Sequence, residues 1–255
     1  MHQLTIIKIG GKIVEDPESL IAFLKDFALI AGDKILVHGG GSSANRLAEK
    51  LGIQTRMVDG RRITDEDTLK VVTMVYAGLV NKNIVAKLQA LKVDAIGLTG
   101  ADMNLILSAK RPVTTIDYGF VGDVKEINAS VLSDLLRQGY IPVLAPLTHD
   151  GNGLLLNTNA DTIAGEIAKV MAFDFNVRLI YCFEKKGVLS DENDENSVIQ
   201  NLDNALFQQY REEGIIKEGM IPKLENAFQA KTCGVKEVII TQASDINTGK
   251  GTFIK

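Results

Sequence analysis

Short apolar runs alternate along the chain with longer segments in which apolar residues recur every three or four positions. Residues 4–9 and 35–37 are the first two runs, and each leads into glycines and then into a segment of helical periodicity. Short continuous apolar runs are typical of buried strands, and the longer spacing is typical of amphipathic helices. The first 52 residues therefore predict a strand, a glycine turn and a helix, twice in succession.

The alternation continues, with one interruption, to the end of the chain. Acidic residues 65–67 suit the first turn of a helix, and the periodic pattern after them predicts the longest helix, to about residue 91. Alternation with glycines over residues 113–127 predicts antiparallel hairpins. Further strands are predicted at 95–98, 141–145, 179–183 and 238–241, and further helices at 128–139, around 161–172, and at 203–213 and 218–232.

Strands that alternate with helices in this way predict a mainly parallel sheet with helices on both faces. The predicted fold is therefore a three-layer α/β/α sandwich with a mainly parallel central sheet. A length of 255 residues fits either one large domain or two lobes. We place a division near residue 172, between an N-terminal lobe over 1–172 and a C-terminal lobe over 173–255.

Composition excludes several classes of protein. Hydrophobic residues make up 45% of the chain, as in ordinary globular proteins, which argues against a disordered or fibrous chain. The net charge of −4 offers no basic field for nucleic acid or an anionic membrane. Cys182 and Cys233 are too few for a disulfide framework, and we find no secretory leader and no apolar run of about 18 residues. We therefore expect a reduced protein of the cytoplasm.

Glycines cluster where the first two strands end. Gly10-Gly11 follows one strand and Gly39-Gly40-Gly41 follows the next. Ligands of open α/β sheets bind beyond the carboxyl ends of the strands, and glycine lets backbone N–H groups approach an anion closely. The two clusters therefore predict two walls of one phosphate site.

Gly39-x-Gly41-x-x-Ala44 also matches the fingerprint of dinucleotide-binding proteins. It follows a strand, opens a helix and has Asp59 about 20 residues further on. However, that fingerprint accounts for one loop only. It leaves Lys8 and the segment Asn157-Thr158-Asn159-Ala160-Asp161 unexplained.

Three charged residues add to the predicted anion site. Lys8 stands at the carboxyl end of the first strand, so its ammonium group is expected to point at the ligand that the glycines hold. Lys223 begins a helix, which is a poor place for a cation unless an anion binds there. Asp161 lies in the first turn of another helix, either as a partner of the helix dipole or as an anchor for two lysines.

Five motifs occur in the order and at the spacing of one known family. They are Lys8-x-Gly10-Gly11, His38-Gly39-Gly40-Gly41, Asp59-Gly60-Arg61-Arg62-Ile63-Thr64, Asn157-x-Asn159-Ala160-Asp161 and Gly219-Met220-x-x-Lys223. Together they resemble the N-acetylglutamate kinase family of the amino-acid kinase superfamily, over essentially the whole chain. The resemblance implies transfer of the γ-phosphoryl group of MgATP to the γ-carboxylate of an N-acylated glutamate, a step of arginine biosynthesis.

The resemblance also implies a role for each matched residue. The implied catalytic residues are Lys8 and Lys223, which would neutralise the phosphoryl group, and Asp161, which would orient both. The implied contacts with ATP are Gly10, Gly11, Gly41 and Lys223. The implied contacts with the acylated amino acid are Gly40, Gly41, Arg62, Asn157 and Asn159, with Arg61 as the neighbouring alternative to Arg62. Mg²⁺ would bind the phosphates and water, without a dense set of protein ligands.

A carboxylate acceptor is already ionised at neutral pH and needs no general base. His38, beside the second glycine cluster, is therefore interpreted as structural. Arginine-inhibited members of the family carry an extra N-terminal helix, whereas this sequence begins at its first strand. We therefore expect a homodimer, paired through the helix of residues 65–91, that is insensitive to arginine.

The sequence departs from the family pattern in two places. Residues 183–188 replace a Ser/Thr-Asp pair that normally precedes a glycine in the nucleotide lobe, and residues 241–244 replace an Asp-Gly-Arg type of run. N-succinyl-L-glutamate is therefore an alternative acceptor, and carbamate kinase and glutamate 5-kinase are alternative activities. A non-catalytic sensor of amino acid or nucleotide is a further alternative, but it would not require Lys8, Asp161 and Lys223 together.

Overall fold

The computed structural model of the chain describes residues 1–58, 61–217 and 220–255. The strands are β1 (His2–Ile9), β2 (Asp33–His38), β3 (Arg56–Val58), β4 (Arg61–Ile63), β5 (Ala95–Leu98), β6 (Ile106–Lys110), β7 (Gly122–Ile127), β8 (Ile141–Leu144), β9 (Leu147–His149), β10 (Leu155–Asn157), β11 (Phe175–Phe183), β12 (Asn201–Leu202), β13 (Glu237–Gln242) and β14 (Thr252–Ile254). The helices are α1 (Gly11–Glu15), α2 (Pro17–Ala28), α3 (Gly41–Lys50), α4 (Glu66–Val72), α5 (Asn81–Ala90), α6 (Ala129–Arg137), α7 (Ala160–Met171), α8 (Asn204–Glu212) and α9 (Ile221–Thr232). A π-helical stretch, Thr73–Val80, joins α4 to α5 into one continuous helix, as the sequence predicted. Asp59, Gly60, Glu218 and Gly219 of the family motifs lie outside the described residues.

An eight-stranded sheet forms the centre, with the strand order β12-β14-β13-β11-β1-β2-β8-β5. Neighbouring strands are parallel throughout, except for the antiparallel pair β13 and β14. The predicted fold class, with a mainly parallel central sheet, is therefore confirmed. β11 lies directly beside β1, so the two proposed lobes, 1–172 and 173–255, share this sheet. The division between them stays a prediction.

Two apolar cores cover the two faces of the sheet. Side chains alternate between the faces along a strand, and β1 contributes Leu4 and Ile6 to one core but Ile7 and Ile9 to the other. Helices α6, α7 and α9 pack on the first face, while α2, α3 and the helix of residues 66–90 pack on the second. Because β1 is buried on both faces, its sequence is an almost continuous apolar run, as the strand prediction required.

The parallel register places the two glycine clusters side by side. Ile9 of β1 is level with His38 of β2 and with Cys182 of β11. The chain leaves β1 and β2 at the same edge, and the Gly39 N–H donates to the Ile9 carbonyl oxygen at 3.0 Å. This carboxyl edge is where open α/β sheets bind ligands.

The hairpin prediction for residues 113–127 is only partly right. A four-stranded sheet with the order β10-β9-β6-β7 interrupts the parallel pattern, but its antiparallel pair is β6 with β7, and residues 111–121 form a loop. Pro112, two residues after the end of β6, has no N–H to donate to a neighbouring strand, and Val113 is exposed. The loop is instead anchored at its far end, where Gly119 forms a β-bridge with Thr64.

Within the described residues, no helix is both long enough and apolar enough to cross a bilayer.

The anchor at Gly119 generates a test of the fold. Gly119 has φ of +70°, and a Cβ atom there would lie 2.2 Å from the Thr64 carbonyl oxygen, so Gly119→Ala must displace backbone. Gly139 has φ of +84° with nothing within 4 Å, so Gly139→Ala is a control that carries the backbone strain alone. We expect Gly139→Ala to cost about 1 kcal/mol and Gly119→Ala at least about 2 kcal/mol more, measured by urea unfolding. Equal losses would show that the loop is not anchored there.

Candidate active site

Two glycine loops bring backbone N–H groups together at the carboxyl edge of the sheet. α1 begins at Gly11 and α3 begins at Gly41, and first-turn amides have no acceptor within their own helix. A Cβ atom placed on Gly11 would lie 3.7 Å from the Gly40 nitrogen and 3.6 Å from the Gly41 nitrogen. The amides of Gly11, Gly40 and Gly41 therefore cluster in one small space, which suits an anion.

An ion triad of Lys8, Asp161 and Lys223 lies at the same edge. The Lys8 Nζ is 2.8 Å from Asp161 Oδ1, and the Lys223 Nζ is 2.7 Å from Asp161 Oδ2. The side chains of Lys8 and Asp161 are 9% and 8% exposed, whereas Lys223 keeps 29% of its side-chain surface. Of the two sequence interpretations of Asp161, the structure therefore shows the anchor for two lysines.

The carboxylate of the ion triad is held in its ionised form. Burial alone would raise the pKa of Asp161, but the charges of Lys8 and Lys223 outweigh that effect and lower the pKa to about 2. The neutralisation is incomplete, because one carboxylate faces two ammonium groups. Burial lowers the pKa of Lys8, and the charge of Asp161 opposes that lowering. With both lysines protonated, the ion triad carries one net positive charge beside the clustered amides.

Local structure fixes Asp161 before any ligand arrives. Asn159 is the N-cap of α7, and its side-chain oxygen accepts from the N–H groups of Asp161 and Thr162 at 2.8 and 3.1 Å. From the other side, the buried hydroxyl of Tyr181 on β11 donates to the Asp161 carbonyl oxygen at 3.1 Å. Asp161 is thus positioned by its helix cap and by the strand beneath it.

A cavity of about 190 Å³ opens beside the glycine loops. Its lining includes every residue that the sequence assigned to the acylated amino acid, namely Gly40, Gly41, Arg62, Asn157 and Asn159. Arg62 is buried, donates to Asn45 Oδ1 and donates to the Gly41 carbonyl oxygen at 3.0 Å. Asn157 Nδ2 donates to Thr64 Oγ1 at 2.9 Å. Arg61 also lines the cavity, but it is less buried than Arg62.

Sequence reasoning missed several residues of this cavity, among them Tyr76, Arg111 and Asp123. The Tyr76 ring lies against Gly40, where a Cβ atom would be 2.9 Å from a ring carbon. The Arg111 Nε donates to Asp123 at 3.1 Å across the pair β6 and β7. The opposite charges of Arg111 and Asp123 were visible in the sequence, but their register, which contains a bulge, was not.

A second cavity, of about 110 Å³, lies next to the helix that carries Lys223. Apolar side chains of Val188, Ile216 and Met220 line it, together with Lys185 and an ion pair of Lys217 with Glu192. Met220 is the N-cap residue of α9, three positions before Lys223. The cavity with an arginine therefore lies at the start of α7, which carries Asp161, and the smaller, more apolar one lies at the start of α9, which carries Lys223.

The described residues contain no group of three or more His, Cys, Asp or Glu side chains that could hold a metal ion. Asp161 is unsuited as a ligand, since each of its oxygens already accepts from a lysine.

Comparison with known proteins identifies the family. The sequence profile of the amino acid kinase family matches residues 3–242. The chain belongs to the amino acid kinase family. The resemblance inferred from the five motifs is thereby confirmed.

Individual members of the amino acid kinase family match over their full length. The chain is 67% identical to an acetylglutamate kinase of Parabacteroides distasonis, covering 100% of both chains. It is 63% identical to an acetylglutamate kinase of Bacteroides thetaiotaomicron, covering 100% of this chain and 99% of that one. A crystal structure of a Streptococcus mutans protein superposes with a TM-score of 0.83 at 31% identity, over 99% of this chain and 98% of that chain.

The ion triad generates a prediction about stability and pH. Asp161 has a pKa of about 2, below its ordinary 3.8, so its charge stabilises the fold above about pH 5 and this contribution is lost as pH falls towards 2. The loss amounts to about 2 kcal/mol. We expect Asp161→Asn to be less stable than wild type at pH 7, with about half of this contribution lost by pH 3 and nearly all of it by pH 2, measured by urea unfolding. A difference that stays constant from pH 7 to pH 3 would contradict the prediction.

Proposed function

We propose that the protein is an ATP-dependent N-acetylglutamate kinase of arginine biosynthesis. The single observation that carries the proposal is the partly buried ion triad, in which Asp161 and Lys223 stand on helices that begin at an arginine-lined cavity and at an apolar one. The full-length relatives named acetylglutamate kinase, at 67% and 63% identity, support the same acceptor. The reaction moves the γ-phosphoryl group of ATP to the γ-carboxylate and forms an acyl phosphate and ADP.

Charge repulsion is the main barrier that the site must lower. An acceptor carboxylate has to approach a polyphosphate in line, so negative charge is concentrated in the transition state. Lys8 and Lys223 neutralise that charge, and the amides of Gly11 and Gly41 donate to the phosphoryl oxygens. The Gly40 amide, which the resemblance assigned to the acceptor, clusters with them and donates to the phosphoryl group as well. A unit charge pair at 4 Å contributes about 4 kcal/mol at an effective dielectric constant near 20, so two fixed lysines supply several kcal/mol.

The acceptor needs no general base, because a carboxylate is ionised at neutral pH. His38 is the histidine beside the glycine loop, but its ring is completely buried. Burial lowers the pKa of His38 to about 4, so the imidazole is neutral in the working range. It does not line the acceptor cavity and removes no proton from the acceptor.

Arg62 and the two asparagines bind the amino-acid part of the acceptor. Arg62 is held by Asn45 and the Gly41 carbonyl oxygen, so its guanidinium is fixed before the α-carboxylate pairs with it. Asn157 and Asn159 offer amide groups to the acylated nitrogen and the acyl oxygen. Tyr76 covers the loop side of the cavity through its contact with Gly40.

The apolar cavity beside α9 takes the base of ATP. Val188, Ile216 and Met220 give the base an apolar surface, and Lys223 then lies on the phosphate side. Gly11 is the phosphate donor of the first loop, because the N–H of Gly10 already donates to the Cys182 carbonyl oxygen at 3.1 Å. Mg²⁺ is carried by the ATP phosphates and by water, since the lysines occupy both oxygens of Asp161.

We propose a homodimer in the cytoplasm. Met74 and Leu79 are 52% and 57% exposed on the continuous helix of residues 66–90, which supports pairing through that helix. Cys182 and Cys233 are free thiols, as is usual in a reducing compartment.

The acceptor is tested by measuring ADP release with N-acetylglutamate, N-succinylglutamate, free glutamate and carbamate side by side. Hydroxylamine traps an acyl phosphate as a hydroxamate, which distinguishes carboxyl transfer from hydrolysis of ATP. We expect turnover and hydroxamate with N-acetylglutamate. Turnover confined to free glutamate or carbamate, or none with any acceptor, would overturn the proposed function.

The catalytic role of the lysines is tested with Lys8→Ala and Lys223→Ala. Each removes charge that acts mainly in the transition state, so we expect kcat to fall by at least about 100-fold, with a smaller change in KM. Lys12→Ala is the matched control, because Lys12 has 74% of its side chain exposed and, among the residues that the structure describes, forms one ion pair, with Glu184 at 3.4 Å. A Lys8 or Lys223 variant with the kcat of the Lys12 control would refute the assigned role.

A further inference from the structure

His38 is a fully buried imidazole at the end of β2, and the proposed reaction gives it no proton to transfer. Its Nδ1 lies 2.8 Å from the carbonyl oxygen of the next residue, Gly39. Its Nε2 lies 3.1 Å from Nδ2 of Asn81, the first residue of α5. Asn81 is itself buried, and its Nδ2 also donates to the Val143 carbonyl oxygen of β8 at 2.9 Å.

These contacts determine which ring nitrogen carries the proton. The carbonyl oxygens of Val143 and Gly39 can only accept, so the Asn81 atom facing Val143 is the amide nitrogen and His38 Nδ1 must donate. His38 Nε2 then accepts the second amide hydrogen of Asn81. The result is a directed chain of hydrogen bonds from Asn81 through the neutral ring of His38 to the Gly39 carbonyl oxygen.

The chain ends on a peptide group that faces the phosphate site. In a trans peptide the C=O and the following N–H point in opposite directions. Because the Gly39 carbonyl oxygen is held by the imidazole, the Gly40 N–H is directed away from His38, toward the loop of Gly11. There the Gly40 nitrogen lies 3.7 Å from where a Cβ atom on Gly11 would stand.

We propose that His38 and Asn81 are positioning residues that orient the Gly39–Gly40 peptide and thereby aim the Gly40 N–H at the transferring phosphoryl group. This inference deepens the proposed function and rests on it. Gly40 has no side chain that could hold the peptide in one orientation. The Tyr76 ring would lie 2.9 Å from a Cβ atom on Gly40, so it blocks only one side of the peptide. The hydrogen bond from His38 supplies the missing orientation.

Burial of His38 serves this role rather than proton transfer. A protonated imidazole would carry a second N–H at Nε2, facing the amide hydrogens of Asn81, so the chain of hydrogen bonds requires the neutral ring. Burial lowers the pKa of His38 to about 4, although the hydrogen bond to Gly39 opposes that lowering, and the charge of Lys82 adds to the effect of burial, so the ring stays neutral.

Two substitutions of His38 separate orientation from simple packing. In H38N the amide nitrogen takes the position of Nδ1 and still donates to the Gly39 carbonyl oxygen, while the partner of Asn81 is lost. In H38Q the side-chain oxygen of the longer amide takes the position of Nε2 and accepts from Asn81, while the bond to Gly39 is lost. Each variant loses one hydrogen bond, so a merely structural role would affect both about equally.

The test measures kcat and KM for N-acetylglutamate, and thermal unfolding, for wild type, H38N and H38Q. Loss of one donor to a developing oxyanion costs about 100-fold to 1,000-fold in kcat. We expect H38Q to fall at least about tenfold below H38N in kcat, with KM values within about threefold and similar unfolding temperatures. If H38Q does not fold, His38→Ala, which loses both bonds, takes its place in the comparison with H38N.

A second readout uses MgADP with aluminium fluoride and N-acetylglutamate, which mimics the transferring phosphoryl group. The affinity for this complex should fall in H38Q by the same factor as kcat, while the affinity for MgADP alone stays within about threefold. Equal kcat values in H38N and H38Q, or a larger loss in H38N, would overturn the inference. No hydroxamate from the wild type would instead refute the proposed kinase function.

Discussion

Two ammonium groups have to be held close together in a partly buried site before the ATP phosphates arrive. Asp161 makes this possible, because it accepts from Lys8 at 2.8 Å and from Lys223 at 2.7 Å and so offsets their mutual repulsion. The three residues come from β1, α7 and α9, and the two helices pack on the same face of the sheet as part of β1. The fold is therefore required to fix two helices against one central strand.

The parallel sheet satisfies this requirement and builds the rest of the site at the same edge. Because β1, β2 and β11 end at one level, the two glycine loops, Lys8 and the anchor Tyr181 all lie near that edge. A chain with a net charge of −4 thereby gathers lysines, a buried arginine and backbone amides at one edge of the sheet, an arrangement that suits anions. The net charge of the chain argues against a basic surface that would attract nucleic acid, but it does not report on a local pocket of this kind.

The sequence was sufficient to predict features that stand directly next to the end of a predicted strand. The parallel sheet, the two glycine loops and the placing of Lys8 were predicted from motifs next to strands, whereas the acceptor roles of Arg62, Asn157 and Asn159 came from the family resemblance and stay a proposal. Contacts between distant segments were not predicted. The Arg111 pair depends on a bulged register, and Tyr76 and Asn81 depend on how one long helix is rotated over β2. His38 was interpreted as structural, since its role is visible only once the Gly39 peptide is placed.

We propose that the ion triad is preorganised to hold the transferring phosphoryl group. The most direct test is a crystal structure with MgADP, aluminium fluoride and N-acetylglutamate bound together. We expect Lys8 Nζ and Lys223 Nζ to lie within hydrogen-bonding distance, about 3 Å, of the fluoride or bridging oxygen atoms. Both lysines should still donate to the carboxylate of Asp161. Lysines turned away from the aluminium fluoride, or separated from Asp161 in the complex, would contradict it.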